Sequence, residues 1–335
     1  MQRRRRCRWR ARGRNLQRST RRLSRAIITA GLLHARSLLL RRALLKCVSR
    51  CAIPNPNVAG GGVARLEEAG IRTHIGECAQ EGQRLIEGFA KHSRTGMPFV
   101  TAKYAMSLDG KIAARSGDSK WISGEESRLF AHLLRAQSDA IMVGINTVLA
   151  DDPMLTARDA EGNANERQPL RVVLDSHGRM PHDAQMLNAP GDTLVAVTDD
   201  FNGGICDGAE TVRMPTGRGG VDLRALLAAL GERDITSVLV EGGGATIGAL
   251  FDLNLVDKVV AFVAPVIIGG NEAISPVGGI GIAKMEEALR LRDVDVRRFG
   301  GDVAIIGYAR GYTWEYAREY TDGDTGREGD VHRDS

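Results

Sequence analysis

An apolar, strand-like run that ends in three glycines is the strongest pattern in this chain. Residues 237–241 (SVLVE) have the composition of a buried strand, glycines 242–244 follow, and an apolar helical pattern begins near Ala245. A helix that starts directly after such a turn presents unpaired backbone N–H groups, which favour phosphate groups. Ile247 stands where the dinucleotide-binding pattern G-x-G-x-x-G needs glycine, so a standard Rossmann unit is not indicated. The pattern alone leaves open a nucleotide site or a glycine-rich turn without a ligand.

Apolar and polar positions elsewhere predict alternating strands and helices. The segment from residue 99 is typical of a strand that reaches a turn at Asp109 and Gly110. Ser123 and Glu126 have the spacing of a capping box, and the helix that follows has a predicted buried face of Leu129, Phe130, Leu133 and Leu134. Further elements are strands at 71–75, 139–143, 170–174, 193–198 and 258–263, helices at 63–69, 79–92 and 223–230, and a hairpin of 294–298 with 303–308. This order predicts an α/β sheet, mostly parallel, with antiparallel edge strands.

Charge divides the chain into a basic segment and an acidic body. Residues 1–50 contain 16 Arg and one Lys without any acid, so the remaining 46 − 17 = 29 basic residues face all 41 acidic ones. The net charge of +5 is therefore +17 in this segment and −12 in the rest. The acidic body does not indicate a nucleic-acid partner. The segment is interpreted as sequence outside any folded domain, such as a misplaced start, with a transit peptide or a nucleic-acid-binding arm as alternatives.

Cysteine spacing and hydropathy argue against a disulfide-rich protein, a zinc ribbon and a membrane protein. The five cysteines lack C-x-x-C spacing, so neither a disulfide framework nor a zinc ribbon is indicated. No apolar run approaches 18 residues, and arginines interrupt the best candidate, 26–45, so no transmembrane helix and no membrane partner are predicted. Residues 313–335 are polar and charged and are predicted to be disordered.

Several motifs then resemble one known family in their order and spacing. They are TAKYAMSLDGKIA (101–113), DSKWIS (118–123), LLRAQSDAIMVGINTVLADDPMLTAR (133–158), RVVLDS (171–176) and VEGGGATIGALF (240–251). Together they closely resemble the reductase domain of the bacterial RibD family of riboflavin biosynthesis. The resemblance implies a dihydrofolate-reductase-like fold for residues 97–312, a mixed and mostly parallel sheet flanked by helices. It also implies a cytoplasmic enzyme that is commonly a homodimer.

The same resemblance implies a reaction. The family enzyme, 5-amino-6-(5-phosphoribosylamino)uracil reductase, converts the ribosyl group of this phosphorylated pyrimidine to a ribityl chain with hydride from NADPH. Such a site needs an anion pocket for the sugar phosphate, a groove for the cofactor and a donor near the reacting nitrogen. Guanidinium groups suit the phosphate because their planar fork donates two hydrogen bonds and does not deprotonate.

Site residues follow by matching positions. The resemblance implies substrate contacts from Ser119, Arg135, Leu155, Arg158 and Glu241. It implies cofactor contacts from Ala105, Trp121, Thr147, Asp151, Ser176, Gly243, Gly244, Ala245, Thr246, Ile247, Gly248 and Ala249. Ser176 and nearby Arg179 are candidates for the 2′-phosphate. Lys103, Asp109 and Glu241 are candidates to assist proton transfer, and no single general acid is assigned. Each residue also has a structural interpretation: Trp121 suits a core, and the charged residues suit exposed loops or ion pairs.

A zinc deaminase domain precedes the reductase in that family, and PNPNVAGGGVARLEEAGI (54–71) resembles its closing segment. Residues 51–96 are accordingly interpreted as a truncated deaminase-like α/β remnant. Deaminase chemistry requires a His-Ala-Glu motif and a Pro-Cys pair. His34, Ala35 and Arg36 are the nearest counterpart, and Cys47 and Cys51 lack the proline. No zinc and no deaminase activity are therefore expected. Two alternatives stay open: a reductase of the same fold acting on a pterin or another pyrimidine, and a nucleotide-binding module without activity.

Overall fold

A computed structural model describes residues 46–49, 61–75, 79–204 and 206–309 of the chain. It divides into two compact units, Met1–Ile53 with Asn57–Gln83 and Pro54–Pro56 with Arg84–Ser335. The predictions for residues 1–45 and for the disordered tail at 313–335 lie outside the described residues.

The first unit contains a parallel strand pair. β1 (Lys46–Ser49) and β2 (Arg72–Ile75) pair in register from Lys46 opposite Arg72, and α1 (Gly61–Glu68) lies between them in sequence. A parallel pair needs a crossover of about a dozen residues, which α1 and its flanking segments supply. β1 itself falls within the segment that the sequence analysis assigned to no domain, and the proposed domain boundaries stay a prediction.

The second unit is built on a nine-stranded sheet. Helix α2 (Ala79–Thr95) leads into it, and its spatial order is β12-β13-β11-β3-β10-β4-β5-β6-β7. The strands are β3 (Phe99–Ser107), β4 (Ala140–Gly144), β5 (Leu170–Leu174), β6 (Thr193–Thr198), β7 (Glu210–Met214), β10 (Ser237–Val240), β11 (Lys258–Ala264), β12 (Arg292–Phe299) and β13 (Asp302–Tyr308). A small hairpin, β8 (Thr216–Gly217) with β9 (Gly220–Val221), lies apart from the sheet in hydrogen bonding. The seven strands from β11 to β7 pair in parallel, and at one edge β13 pairs antiparallel with both β11 and β12. The predicted α/β class is confirmed.

Helices cover both faces of this sheet. They are α3 (Glu125–Gln137), α4 (Ile145–Asp151), α5 (Gln185–Asn188), α6 (Leu223–Glu232) and α7 (Gly244–Asp252). One core joins α6 and α7 to the strands through Leu226, Leu230, Ile247, Val100 and Val240, all almost fully buried. On the opposite face, Phe130 of α3 packs against two aromatic rings, those of Phe262 and Phe299, at centroid distances of 6.1 and 4.7 Å. Burial on both faces explains why the parallel strands read as continuous apolar runs.

Helix α3 differs from its prediction in both its cap and its buried face. The expected capping box of Ser123 and Glu126 is wrong, because Gly124 is the N-cap residue and no side chain of its own caps the helix. Asp302 does this from β13: its Oδ2 accepts hydrogen bonds from the Gly124 N–H at 2.7 Å and the Ser127 hydroxyl at 2.6 Å. The helix buries Ser127 and Ala131. Leu129 and Leu133, predicted to be buried, are 41% and 47% exposed.

Several elements had no counterpart in the sequence pattern: β1, α4, α5, β7 and the hairpin of β8 and β9. Helix α4 spans only seven residues, and edge strand β7 has an exposed, polar face, so neither shows a clear hydrophobic period. Helix α4 matters for function because it starts at the carboxyl end of β4, beside the strand that leads into α7.

Candidate active site

A buried carboxylate lies at the carboxyl end of β10. Glu241 directly follows this strand, which lies between β3 and β4, and its N–H donates to the carbonyl of Met142 at 3.0 Å. In open α/β sheets, this edge is where ligands bind. The backbone hydrogen bond to Met142 therefore places Glu241 at the edge where ligands bind in such sheets.

Two cations hold this carboxylate. Arg135 of α3 donates from Nε to Oε1 at 2.6 Å and from Nη2 to Oε2 at 3.0 Å, and the Lys103 ammonium on β3 lies 3.3 Å from Oε2. The exposed side-chain fractions are 6% for Glu241, 17% for Arg135 and 16% for Lys103. We call Lys103, Arg135 and Glu241 the Glu241 cluster. Helix α3 supplies Arg135 from its last turn, where a cation is favoured by the helix dipole.

The charge state of Glu241 is fixed by its partners. Burial acts to raise the pKa of the carboxyl, but the charges of Arg135 and Lys103 outweigh it and lower the pKa from 4.5 to about 2. Burial acts to lower the pKa of Arg135, and Glu241 raises it above its ordinary value. Glu241 is therefore a permanent anion near neutral pH. It can accept hydrogen bonds from a substrate but has no proton to give.

A second group of side chains converges on Thr156. Its carbonyl accepts hydrogen bonds from His132 Nδ1 at 3.0 Å and Arg135 Nη1 at 3.3 Å, and its hydroxyl accepts one from Arg158 Nε at 3.0 Å. We call His132, Arg135, Thr156 and Arg158 the Thr156 cluster. The neighbouring Leu155 has a φ of +52° and a buried side chain, a strained backbone for a leucine that costs about 1–3 kcal/mol. The structure thus brings the predicted substrate residues Arg135, Leu155 and Arg158 together.

His132 was missed from the sequence. Burial, followed by the charge of Arg135, lowers the pKa of its imidazole below the ordinary value. The signal that could have found it is its spacing, since it lies three residues before Arg135 and therefore on the same helix face.

The start of α7 is the predicted phosphate-binding element. Gly243 is its N-cap residue, and the Gly243 N–H donates to the Thr147 hydroxyl of α4 at 3.1 Å. The next N–H groups, from Gly244 to Thr246, belong to the first turn, which has no intrahelical acceptors. Helix α4 approaches closely, because a Cβ atom on Gly144 would lie 2.7 Å from the Thr246 hydroxyl. The strand, turn and helix predicted from the sequence are confirmed, and Thr147 is joined directly to them.

Glycines on α7 serve close packing rather than unusual backbone angles. A Cβ atom on Gly244 would lie 2.4 Å from the carbonyl of Ser275, and one on Gly248 would lie 2.2 Å from the carbonyl carbon of Gly278. The Gly278 N–H also donates to the Gly244 carbonyl at 2.9 Å. The side chain of Ile247 is fully buried in the core, so this residue can offer a ligand only its backbone. Ala245 and Thr246 present their side chains away from that core, and Ala249 packs partly against it.

The remaining predicted cofactor residues line the same edge of the sheet. The Ser119 hydroxyl donates to Oδ1 of Asp151, the last residue of α4, at 3.0 Å. This hydrogen bond links a predicted substrate residue to a predicted cofactor residue. Trp121 is 72% exposed, with the Arg128 guanidinium 4.9 Å from its ring centroid, so it is not a core aromatic. Ala105 lies on β3, opposite Phe262 of β11.

Ser176 and Arg179 follow β5. The Ser176 hydroxyl accepts a hydrogen bond from the Val221 N–H of β9 at 3.2 Å. Arg179 Nε lies 3.8 Å from Asp175 Oδ1, a fully buried oxygen that has no hydrogen-bond partner within the described residues. The Arg179 side chain itself is 47% exposed, so most of its donors face solvent.

The hydrogen-bond partners of Asp109 are different from those of the Glu241 cluster. Its carboxylate accepts the N–H groups of Ile268 at 3.1 Å and Gly269 at 2.6 Å, and so holds the segment after β11. Hydrogen bonds from the Ser107 side chain and then from these amides lower its pKa to about 2. Asp109 is therefore ionised near neutral pH, like Glu241. Of the three proton-transfer candidates, only the Lys103 ammonium has a proton to give.

A cavity of about 430 Å³ adjoins the Thr156 cluster. Its lining residues are Met154, Thr156, Arg158, Gly162, Ala164, Gln185, Asn188, Ala189 and Pro190. It shares two residues with the Thr156 cluster and has none of the Glu241 cluster or α7. The cavity therefore adjoins the Thr156 cluster and not the Glu241 cluster.

No group of three or more His, Cys, Asp or Glu side chains that could bind a metal ion occurs among the described residues. Within those residues, no helix has the length and apolar character needed to cross a bilayer.

Comparisons with known proteins agree with this architecture. The family model of the RibD C-terminal domain matches residues 98–305. Riboflavin biosynthesis protein RibD of Escherichia coli K12 is 36% identical over 276 residues, which cover 80% of this chain and 75% of that protein. The solved structure of RibD from Acinetobacter baumannii is 34% identical, with a TM-score of 0.70, covering 82% of this chain and 75% of the other.

A third relative is a diaminohydroxyphosphoribosylaminopyrimidine deaminase/5-amino-6-(5-phosphoribosylamino)uracil reductase from Thermotoga maritima. Its structure is 29% identical, with a TM-score of 0.68, over 82% of this chain and 74% of that one. The family match starts just before β3 and ends within β13. The chain therefore belongs to the RibD C-terminal domain family.

Proposed function

We propose that this chain reduces the ribosyl group of 5-amino-6-(5-phosphoribosylamino)uracil to the ribityl chain, with NADPH as the cofactor. The observation that carries the proposal is the position of Glu241. A carboxylate held anionic by Arg135 and Lys103 stands two residues before Gly243, the N-cap of the glycine-rich helix. A group that can recognise a pyrimidine and an element that can bind a cofactor phosphate therefore adjoin at one sheet edge.

The residues at the start of α7 fit the phosphates of a nicotinamide cofactor. The unpaired N–H groups after Gly243 and the helix dipole favour an anion, and the absence of side chains at Gly243 and Gly244 allows close backbone approach. When bound, NADPH would supply the hydride. Ser176 and the partly exposed Arg179 follow β5, which lies two strands away from β10. Neighbouring strands are about 4.8 Å apart, so these side chains lie roughly 10 Å across the sheet from β10. Their position supports a preference for the 2′-phosphate of NADPH.

Substrate recognition divides between the two clusters. Glu241 would accept hydrogen bonds from the amino groups of the pyrimidine, and its fixed negative charge would orient the ring. Arg135, Arg158, Ser119 and the backbone at Leu155 would bind the sugar phosphate. Lys103 would place a positive charge and a proton donor beside the reacting nitrogen. The ionised carboxylates of Glu241 and Asp109 could not donate a proton there, so Lys103 is the favoured donor.

A turnover assay tests this function directly. The purified chain is incubated with NADPH and the phosphoribosylamino-pyrimidine, with a pterin and with the substrate lacking its phosphate, while NADPH absorbance and product mass are followed. We expect fast oxidation with the first substrate only and a product heavier by two hydrogens. Turnover of the pterin alone would instead support the alternative reductase, and NADPH binding without turnover of any substrate would support a binding module.

Three narrower expectations accompany the proposal. We expect no deaminase activity, which ammonia release from the pyrimidine together with one tightly bound zinc per chain would contradict. We expect a homodimer, which sedimentation of the purified protein tests. Exposed apolar side chains of the segment after β11 support it: Val266, Ile267, Ile274, Ile280, Ile282 and Met285 are between 41% and 81% exposed. A cytoplasmic location also remains a prediction.

A further inference from the structure

Three basic side chains share one residue beside the proposed phosphate site. His132 and Arg135 both donate to the Thr156 carbonyl, at 3.0 and 3.3 Å, and Arg158 donates to the Thr156 hydroxyl at 3.0 Å. Thr156 itself is 3% exposed. Arg135 and Arg158 are the residues that the proposed function assigns to the phosphate, whereas His132 has no assigned role.

The hydrogen bond of His132 defines which nitrogen carries the proton. A carbonyl oxygen only accepts hydrogen bonds, so Nδ1 must be the protonated nitrogen of the imidazole. Nε2 is then the nitrogen that gains a proton when the ring becomes cationic. Protonation therefore leaves the contact with Thr156 intact and adds a positive charge to the cluster.

The charged groups around His132 come from three elements. Arg135 is on its own helix, Arg158 is on the loop after α4, and Glu241 follows β10. Burial and the two arginines disfavour the imidazolium, while Glu241 and the Thr156 carbonyl favour it. With Glu241 already paired to Arg135 and Lys103, the balance of these groups favours the neutral imidazole.

We propose that His132 is a positioning residue of the phosphate site, which holds the Leu155–Arg158 loop through Thr156 and takes up a proton when a sugar phosphate binds. A bound phosphate dianion offsets the repulsion from the two arginines, so it favours the imidazolium. By linkage, the protonated ring then favours the phosphate to the same extent. This inference rests on the proposed function, because it requires the phosphate to bind at this cluster.

The net number of protons exchanged on binding distinguishes the contribution of His132 from that of the phosphate group. The second pKa of a phosphate monoester is about 6, and binding its dianion to arginines alone releases protons at mildly acidic pH. Proton uptake by His132 has the opposite sign. Calorimetric titration of the full chain with ribose 5-phosphate, in buffers of different ionisation enthalpy at about pH 6.5, measures the net number of protons.

We expect net uptake by the wild type and net release by His132→Gln, whose amide can still donate to Thr156 but cannot become charged. His182→Gln, which replaces an exposed histidine of the loop before α5, is the matched control and should behave as the wild type. His132→Gln should also raise KM for the phosphorylated substrate by roughly two- to tenfold at about pH 6, the size of one screened charge pair, and leave KM for the dephosphorylated substrate unchanged.

The outcomes are distinct. Equal proton release by the wild type and His132→Gln would overturn this inference and leave the phosphate site standing. No binding of ribose 5-phosphate to the wild type would overturn the proposed phosphate site, and the inference with it. If His132→Gln does not fold, the sign of proton exchange in the wild type decides by itself, since release contradicts the role of His132 and uptake supports it.

Discussion

Replacing Glu241 by glutamine removes the negative charge that holds two buried cations. The pKa of Glu241 is lowered from 4.5 to about 2, which corresponds to about 3 kcal/mol of folding free energy near neutral pH. Removal of one partner from a buried ion pair costs about 3–5 kcal/mol in general, which is the same size. Because glutamine keeps one acceptor oxygen, we expect a loss near the lower value. In a domain of this size, it corresponds to a fall in Tm of roughly 6–12 °C.

The pH dependence of this loss gives a second, independent readout. A carboxyl whose pKa is lowered on folding stabilises the protein fully above its unfolded pKa, and this contribution disappears as the pH falls through its folded pKa. The difference in unfolding free energy between the wild type and Glu241→Gln should therefore shrink between about pH 5 and pH 2. Urea denaturation of both proteins at several pH values, followed by circular dichroism, measures it.

Two controls make the test specific. Glu286→Gln removes an exposed carboxylate, 3.6 Å from Lys284 and 75% exposed, and should leave Tm unchanged because such surface pairs contribute little. Glu241→Gln with Arg135→Met should be less destabilised than Glu241→Gln alone, because the second change removes a cation that has lost its partner. A loss below about 1 kcal/mol at neutral pH, or a loss independent of pH, would refute the reasoning.

Three other predictions concern the substrate loop, the cofactor helix and the cap of α3. Arg158→Ala should raise KM for the phosphorylated substrate about ten- to hundredfold with little change in kcat, since it removes binding that is equal in ground and transition states; steady-state kinetics measure it. Gly248→Ala should weaken NADPH binding and cost about 1–3 kcal/mol, because its Cβ atom would meet Gly278 at 2.2 Å, whereas Gly204→Ala adds a methyl group in open space. Asp302→Ala should lower stability by about 1–2 kcal/mol in thermal denaturation, and Asp302→Asn by less.

The sequence by itself determined the elements whose signals are local. The strand at 237–241, its glycines and the helix after them form one continuous pattern, and the structure has β10 and α7 at these places. Parallel strands buried on both faces are mostly apolar, so β5 and β6 could be located to the residue although β5 contains Arg171. Motif order carried the family, and with it the expected substrate and cofactor.

Only the tertiary structure decided which side chains share a contact, because those contacts join residues far apart in sequence. Glu241 and Arg135 are 106 positions apart, and the charge state of the carboxylate depends on that pairing. The cap of α3 comes from Asp302, 178 positions after Gly124, and Leu129 and Leu133 of this helix, predicted to be buried, are exposed. His132 gained a candidate role through a backbone carbonyl, an acceptor that every residue carries and that no sequence pattern distinguishes.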